Sequence, residues 1–144
     1  MDACGRFVFS HVRVAHADRW ENGMSENPVE LFDMHIAHVG INAENPEQAK
    51  RIAERFSVLM GLPVNEVPVS FFSDTLVETM KQSGRGTHGH IGFAVNDIVA
   101  AEKWFSDRGF EINEESRALY EDGSTKLVYF KEEIGGFAIH LCRE

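Results

Sequence analysis

Thr87-His88-Gly89-His90-Ile91-Gly92-Phe93-Ala94-Val95-Asn96-Asp97 decides how this chain folds. Strict alternation puts His88, His90, Gly92 and Ala94 on one face of a strand and Gly89, Ile91, Phe93 and Val95 on the other, so one face is apolar and the other small and polar. The apolar face needs a cover. Asp97 suits the N-cap of a helix, and Ile98, Ala101, Trp104 and Phe105 then recur at helical spacing until Gly109 ends the run. Strand and covering helix form one unit.

The unit has an earlier copy. In Ala37-His38-Val39-Gly40-Ile41-Asn42, Ala37, Val39 and Ile41 take the apolar face, and Ile36, His38 and Gly40 the other. Asn45-Pro46 opens a helix with Pro at its first position, and Ala49, Ile52, Ala53, Phe56 and Leu59 make its apolar stripe before Gly61. His38 and His90, 52 residues apart, hold equivalent places in the two copies. The chain therefore contains an internal duplication.

With 144 residues, 43% of them hydrophobic, the chain can bury one sizeable core, and a single domain is expected. The formal net charge of −9 argues against nucleic acid and against an anionic membrane surface, because phosphate neutralisation needs clustered Lys and Arg. A small-molecule or protein partner is left. No apolar run approaches the roughly 20 residues of a bilayer span, and the N-terminus lacks a basic segment followed by an apolar signal core. A cytoplasmic location is the expectation. Cys4 and Cys142 have no Cys-x-x-Cys spacing, which leaves no disulfide framework or thiolate zinc site to expect.

Residues 1–33 do not share the pattern of the later chain. Phe7 to Ala15 could form a strand, Asp18 to Asn27 is polar and turn-rich, and Met34 directly precedes the first well-patterned strand. The segment reads either as an N-terminal extension upstream of a start at Met34, non-native or flexible, or as an arm that adds a strand to a sheet edge. Residues 34–144 form the patterned domain, with modules 34–82 and 87–144 joined by a linker containing Gly84 and Gly86.

After its helix the first module continues in short strands near Pro63–Val67, Pro68–Ser73 and Thr75–Lys81. The second repeats the order near Phe110–Glu114, Arg117–Glu121, Lys126–Lys131 and Phe137–Cys142, with Asp122-Gly123 as a hairpin signal. Glu78 shares a face with Leu76 and Met80, and His140 shares one with Ala138 and Cys142, away from the core.

Four donors then stand at matching places: His38 and His90 on the first strand of each module, Glu78 and His140 on the last. If the two non-core faces meet, imidazole nitrogens and a carboxylate converge in a way that suits zinc, nickel, manganese or ferrous iron. The alternatives are histidines that only line a polar groove and a Glu78 that is a solvated edge carboxylate. His88 lies a residue pair before His90 and reads as substrate-facing. His35 falls on the face opposite His38, and His11 and His16 belong to the first 33 residues; all three read as incidental.

Two paired strand-helix-three-strand modules, opened by Ala37-His38-Val39-Gly40-Ile41 and Gly89-His90-Ile91-Gly92-Phe93-Ala94-Val95, resemble the vicinal oxygen chelate superfamily of glyoxalase I, fosfomycin-resistance proteins, methylmalonyl-CoA epimerase and extradiol dioxygenases. The resemblance covers Met34 to Glu144. It implies an α+β fold of paired βαβββ modules, each a curved four-stranded sheet, around a central groove. It also implies metal ligands on the first and last strands of each module, which map onto His38, Glu78, His90 and His140. The family's last ligand is usually Glu; here it is His140, four residues after Gly136, which argues against glyoxalase I in particular. A narrower likeness, in His38-Val39-Gly40-Ile41-Asn42-Ala43-Glu44-Asn45-Pro46 and Glu133-Ile134-Gly135-Gly136-Phe137-Ala138-Ile139-His140-Leu141, is to a small subfamily sometimes named after 2-keto-3-deoxy-6-phosphogluconate aldolase. Aldolase chemistry does not come with it, because a Schiff-base aldolase needs a buried lysine in a far longer barrel chain.

The leading functional expectation is a metal-dependent isomerase or lyase acting on a small 2-keto acid, sugar acid or related oxygen-chelating substrate, with Glu78 as ligand or general base. Its rival is a non-catalytic small-molecule binding or regulatory module of the same fold. A homodimer is expected from the exposed edges of small sheets.

Overall fold

Residues 27–143 are described in the computed structural model. The expected strand at Phe7–Ala15, together with Cys4, His11 and His16, lies outside the described residues. Each helix begins where the capping chemistry places it. Asn27 caps α1 (Pro28–Phe32). After β1 (His35–Asn42), the Asn45 side chain accepts the Gln48 N–H at 2.8 Å and Pro46 opens α2 (Pro46–Met60), which ends at Gly61 in the left-handed conformation. Three short strands come next: β2 (Val64–Glu66), β3 (Ser70–Ser73) and β4 (Val77–Met80).

The second module is β5 (Gly89–Val95), α3 (Ile98–Ser106), β6 (Ile112–Leu119), β7 (Thr125–Ile134) and β8 (Phe137–Arg143). Asp97 caps α3, its carboxylate accepting the Ala100 N–H at 3.0 Å. Both modules are therefore βαβββ, as expected. They join within one chain: all eight strands form a single mixed sheet in the order β2-β3-β4-β1-β5-β8-β7-β6. β1 runs parallel to β4 and β5 parallel to β8, while the seam between modules is the antiparallel pair β1–β5. The fold is α+β.

Burial follows the two stripes. Ala49 and Ala53 of α2 are fully buried with Ala43 and Phe71, and Ile52 and Val64 pack at their edge. The larger core belongs to the second module, where Ile98, Ala101 and Phe105 of α3 meet Val95, Val128, Phe130, Ile139 and Leu141. One expected stripe residue departs: Leu59 is 78% exposed. A helix of 15 residues is about 22 Å long, whereas a four-residue strand spans only about 13 Å, so the last turn of α2 overhangs the short strands beneath it.

Two further differences from the sequence expectation have local causes. The stretches 110–114 and 117–121 are one strand, β6, whose pairing with β7 shifts register between Asn113 and Ala118. At the irregularity Ser116 replaces a ladder bond, its hydroxyl donating to the Asn113 carbonyl at 2.6 Å and accepting the Tyr129 N–H at 2.8 Å. Residues 27–33, placed in the extension by sequence, contribute to the core: Phe32 is 7% exposed in the larger cluster, stands edge-on to Trp104 at 6.3 Å, and accepts the Asn96 N–H through its carbonyl at 2.9 Å. No helix among the described residues is long and apolar enough to cross a membrane.

Candidate metal centre

The four central strands carry the expected donors in two adjacent rows. In one row Glu78 on β4 pairs with Gly40 on β1, and Gly40 in turn with His90 on β5. In the next, His38 on β1 pairs with Gly92 on β5, Gly92 with His140 on β8, and His140 with Tyr129 on β7. A glycine thus separates the donors in each row. A Cβ at position 40 would lie 2.0 Å from the His90 ring, and one at position 92 would lie 2.5 Å from His140 Nε2 and 2.8 Å from the His38 ring. The repeated His-x-Gly pattern is therefore a packing device in which each module's glycine admits the other module's histidine. Its signal in the sequence is the pair of triplets His38-Val39-Gly40 and His90-Ile91-Gly92.

Into this space the three imidazoles turn the same atom. His38 Nε2 lies 3.1 Å from His90 Nε2 and 3.4 Å from His140 Nε2, and the three ligand atoms all fall within 4.8 Å of one another. Glu78 Oε2 is 3.1 Å from His90 Nε2 and 3.7 Å from His38 Nε2. Its other oxygen accepts the Ser70 hydroxyl at 2.7 Å, which fixes the carboxylate plane. Ser70 is fully buried, and His90 and His140 are 5% and 2% exposed, so water does little to screen the cluster.

Burial sets the protonation states. His140 is pushed down to about 4, first by desolvation and then by the neighbouring His38 and His90. His38 is lowered for the same first reason, with His90 adding and Glu78 opposing. For Glu78 desolvation is the largest influence and raises the carboxyl, but the hydrogen bonds from His90 and Ser70 outweigh it and hold the group below its ordinary value. At neutral pH the site accordingly presents neutral imidazoles at His38 and His140 beside a carboxylate. Neutral nitrogen and anionic oxygen are the forms that bind a divalent ion.

The spacing fits such an ion. Metal–nitrogen bonds of about 2.0–2.1 Å in a tetrahedron put neighbouring donors roughly 3.3–3.4 Å apart. The His38 nitrogen stands near that separation from those of His90 and His140, all three lie within 4.8 Å of one another, and together they could hold a metal. His88 takes no part in the cluster; it is exposed before β5, its N–H donating to the Gly136 carbonyl at 2.9 Å and its ring packing beside Phe137. His35 is exposed too, with Nδ1 2.9 Å from the Asp33 carbonyl.

Sequence reasoning missed the surrounding wall. Tyr129 packs against His140 with ring centroids 4.8 Å apart, Phe72 stands edge-on to His38, and the Arg85 guanidinium lies 4.8 Å above the Tyr129 ring. Tyr129 could have been found from strand parity once the register of β7 against β8 was known. Arg85, in the linker, gives no periodic signal.

No protein-family model matches the chain, and no curated protein does. Solved structures match in fold. A hypothetical protein from Bacillus halodurans C-125 superposes with a TM-score of 0.54 at 12% identity, covering 78% of this chain and 95% of its own. A methylmalonyl-CoA epimerase in complex with methylmalonyl-CoA and NH4+ gives 0.52 at 13%, covering 77% of this chain and 94% of the epimerase. A variant of the Streptomyces coelicolor methylmalonyl-CoA epimerase, in complex with 2-nitronate-propionyl-CoA, gives 0.51 at 16%, covering 76% of this chain and 96% of the epimerase. At these identities the likeness is one of fold, and the fold is the glyoxalase-like one of paired βαβββ modules.

Proposed function

We propose that this chain is a divalent-metal enzyme of isomerase or lyase type, its centre held by His38, His90, His140 and Glu78. The observation that carries the reading is the convergence of three imidazole Nε2 atoms and one carboxylate oxygen at 3.1–3.7 Å from their neighbours. Three imidazoles turned through the same ring atom toward one point beside a carboxylate are arranged as a ligand set is, whereas side chains that only line a groove share no common focus. A zinc, nickel, manganese or ferrous ion bound there would supply Lewis-acid stabilisation to an oxyanion on a substrate that chelates through two adjacent oxygens.

The chain's own residues supply the rest. Glu78 is ligand or, when released from the ion, general base: hydrogen bonds keep it ionised, Ser70 holds one oxygen, and the other faces the cluster, where it can take a proton alpha to a carbonyl. The buried rings of His90 and His140 orient the substrate and exclude water from one side. A small 2-keto acid, sugar acid or related compound is the substrate class. The expected homodimer is supported by exposed Val58, Leu59 and Met60 at the overhanging end of α2, and light scattering at micromolar concentration checks it.

Elemental analysis of the purified protein tests the centre. One bound divalent ion per chain is expected, with His38→Ala, His90→Ala and His140→Ala each losing it. Glu78→Gln should abolish exchange of the alpha protons of 2-keto acids in deuterium oxide, as read by NMR. A folded, metal-free protein whose affinity for added zinc and nickel is unchanged by all three histidine variants would overturn the reading and leave the non-catalytic binding module.

A further inference from the structure

The linker between the modules holds a cation over Tyr129, the aromatic neighbour of His140. Asn42, the last residue of β1, clamps it from both sides: its amide donates to the Gly86 carbonyl at 2.9 Å, and its side-chain oxygen accepts the Gly84 N–H at 3.0 Å. Arg85 is the residue between the two clamped positions. The backbone is thus fixed where the side chain leaves it, and the guanidinium sits 4.8 Å over the ring of Tyr129. That ring packs in turn against His140, tilted by 50° with 4.8 Å between centres.

Arg85 is set apart by its place, one ring away from the histidine cluster. The chain carries a formal charge of −9, and several basic side chains take carboxylate partners: Lys81 with Glu66, Lys103 with Asp107, Arg117 with Glu102 and Glu114, Lys131 with Glu111; others, such as Arg108 over Trp104 and Lys126 over Tyr120, lie on rings outside the cluster's strands. Among the described residues Arg85 joins no ion pair and no side-chain hydrogen bond, and its guanidinium meets the face of Tyr129. Stacking uses the guanidinium plane and leaves the edge, with its five N–H donors, available. The Tyr129 hydroxyl likewise has no hydrogen-bond partner among the described residues.

We propose that Arg85, stacked on Tyr129 at the rim of the histidine cluster, recognises a second anionic group of the substrate, a carboxylate or a phosphate. The inference deepens the proposed function and rests on the reading of His38, His90, His140 and Glu78 as the centre. The substrate is then a 2-keto acid or sugar acid with its chelating oxygens at the cluster and a distal anion on the Arg85 edge. The charge also answers an electrostatic problem. An anionic substrate approaching an acidic protein, and Glu78 in particular, needs a fixed cation near the entry.

Calorimetry on the full chain supplemented with zinc tests the proposal with three probes sharing one chelating end: 2-oxobutanoate, with no distal anion; 2-oxoglutarate, with a distal carboxylate; and 3-phosphonopyruvate, with a distal phosphonate. The wild type should bind one of the two distal anions about tenfold more tightly than 2-oxobutanoate, the size of a charge-assisted hydrogen-bonded pair, and the preferred probe identifies the anion. Arg85→Met should bring the ratio to about one, and Arg85→Lys should keep part of it, while metal content stays at the wild-type value in both. A wild type without preference, or an Arg85→Met variant that keeps it, overturns the inference. Loss of metal binding by the wild type itself would instead overturn the centre, and it is read separately in the same samples.

Discussion

Gly92 and His140 stand opposite each other across the parallel pair β5–β8, and the His140 ring fills the space that a side chain at 92 would take. The missing Cβ is as much a part of the site as the imidazoles it admits. In Gly92→Ala the new carbon would lie 2.5 Å from His140 Nε2 and 2.8 Å from the His38 ring, both of which must swing away. Zinc affinity should fall by about 10–100-fold, the range seen when the surroundings of a ligand are altered, while the melt stays cooperative. Gly40→Ala should do the same through His90. Competition titration with a chromophoric chelator measures both, and wild-type affinity in either variant would show that the rings have room to spare.

Acid should destabilise the metal-free protein in a defined window. His140 is held at about 4 when folded and returns to about 6.5 when unfolded, so between these values the unfolded chain binds a proton that the folded one refuses. Stability is therefore complete above about 6.5, declines as the pH falls toward 4, and is lost by an amount on the order of 3 kcal/mol below that. His38 shifts in the same direction. Denaturant titrations in chelator at about pH 7 and about pH 4.5, on either side of most of that window, check this. His140→Gln should show a visibly smaller loss between the two, and an equal loss would mean that His140 is not held neutral by the fold.

Phe32 ties the segment before Met34 to the second module. Truncating a core phenylalanine typically costs about 3–5 kcal/mol, and the Phe32 ring is almost wholly covered. We expect Phe32→Ala, and removal of residues 1–33, to lower the melting temperature markedly. Removal of residues 1–26 keeps Asn27 as the α1 cap and should cost far less. Equal melting temperatures for the two truncations would restore the simpler division at Met34.

Much of this protein was legible in one dimension. The alternation around His90 and the Asp97 cap located β5 and α3, and the repeat of that pattern around His38 located β1 and α2, because face and cap are properties of a few consecutive residues. Parity also put His140 on the face that bears His90. Tertiary structure decided what period two cannot encode. The order of strands made β1 and β5 neighbours within one chain, and the register then set Gly40 against His90 and Gly92 against His140. Leu59 was left in solvent because the strands under α2 are shorter than the helix, Phe32 was drawn into a core that its own segment does not announce, and Arg85 came to rest on Tyr129 through a clamp from Asn42. Local sequence specifies which way a side chain points, whereas which side chains meet, and how far their protonation is moved by burial, depends on partners tens of residues away.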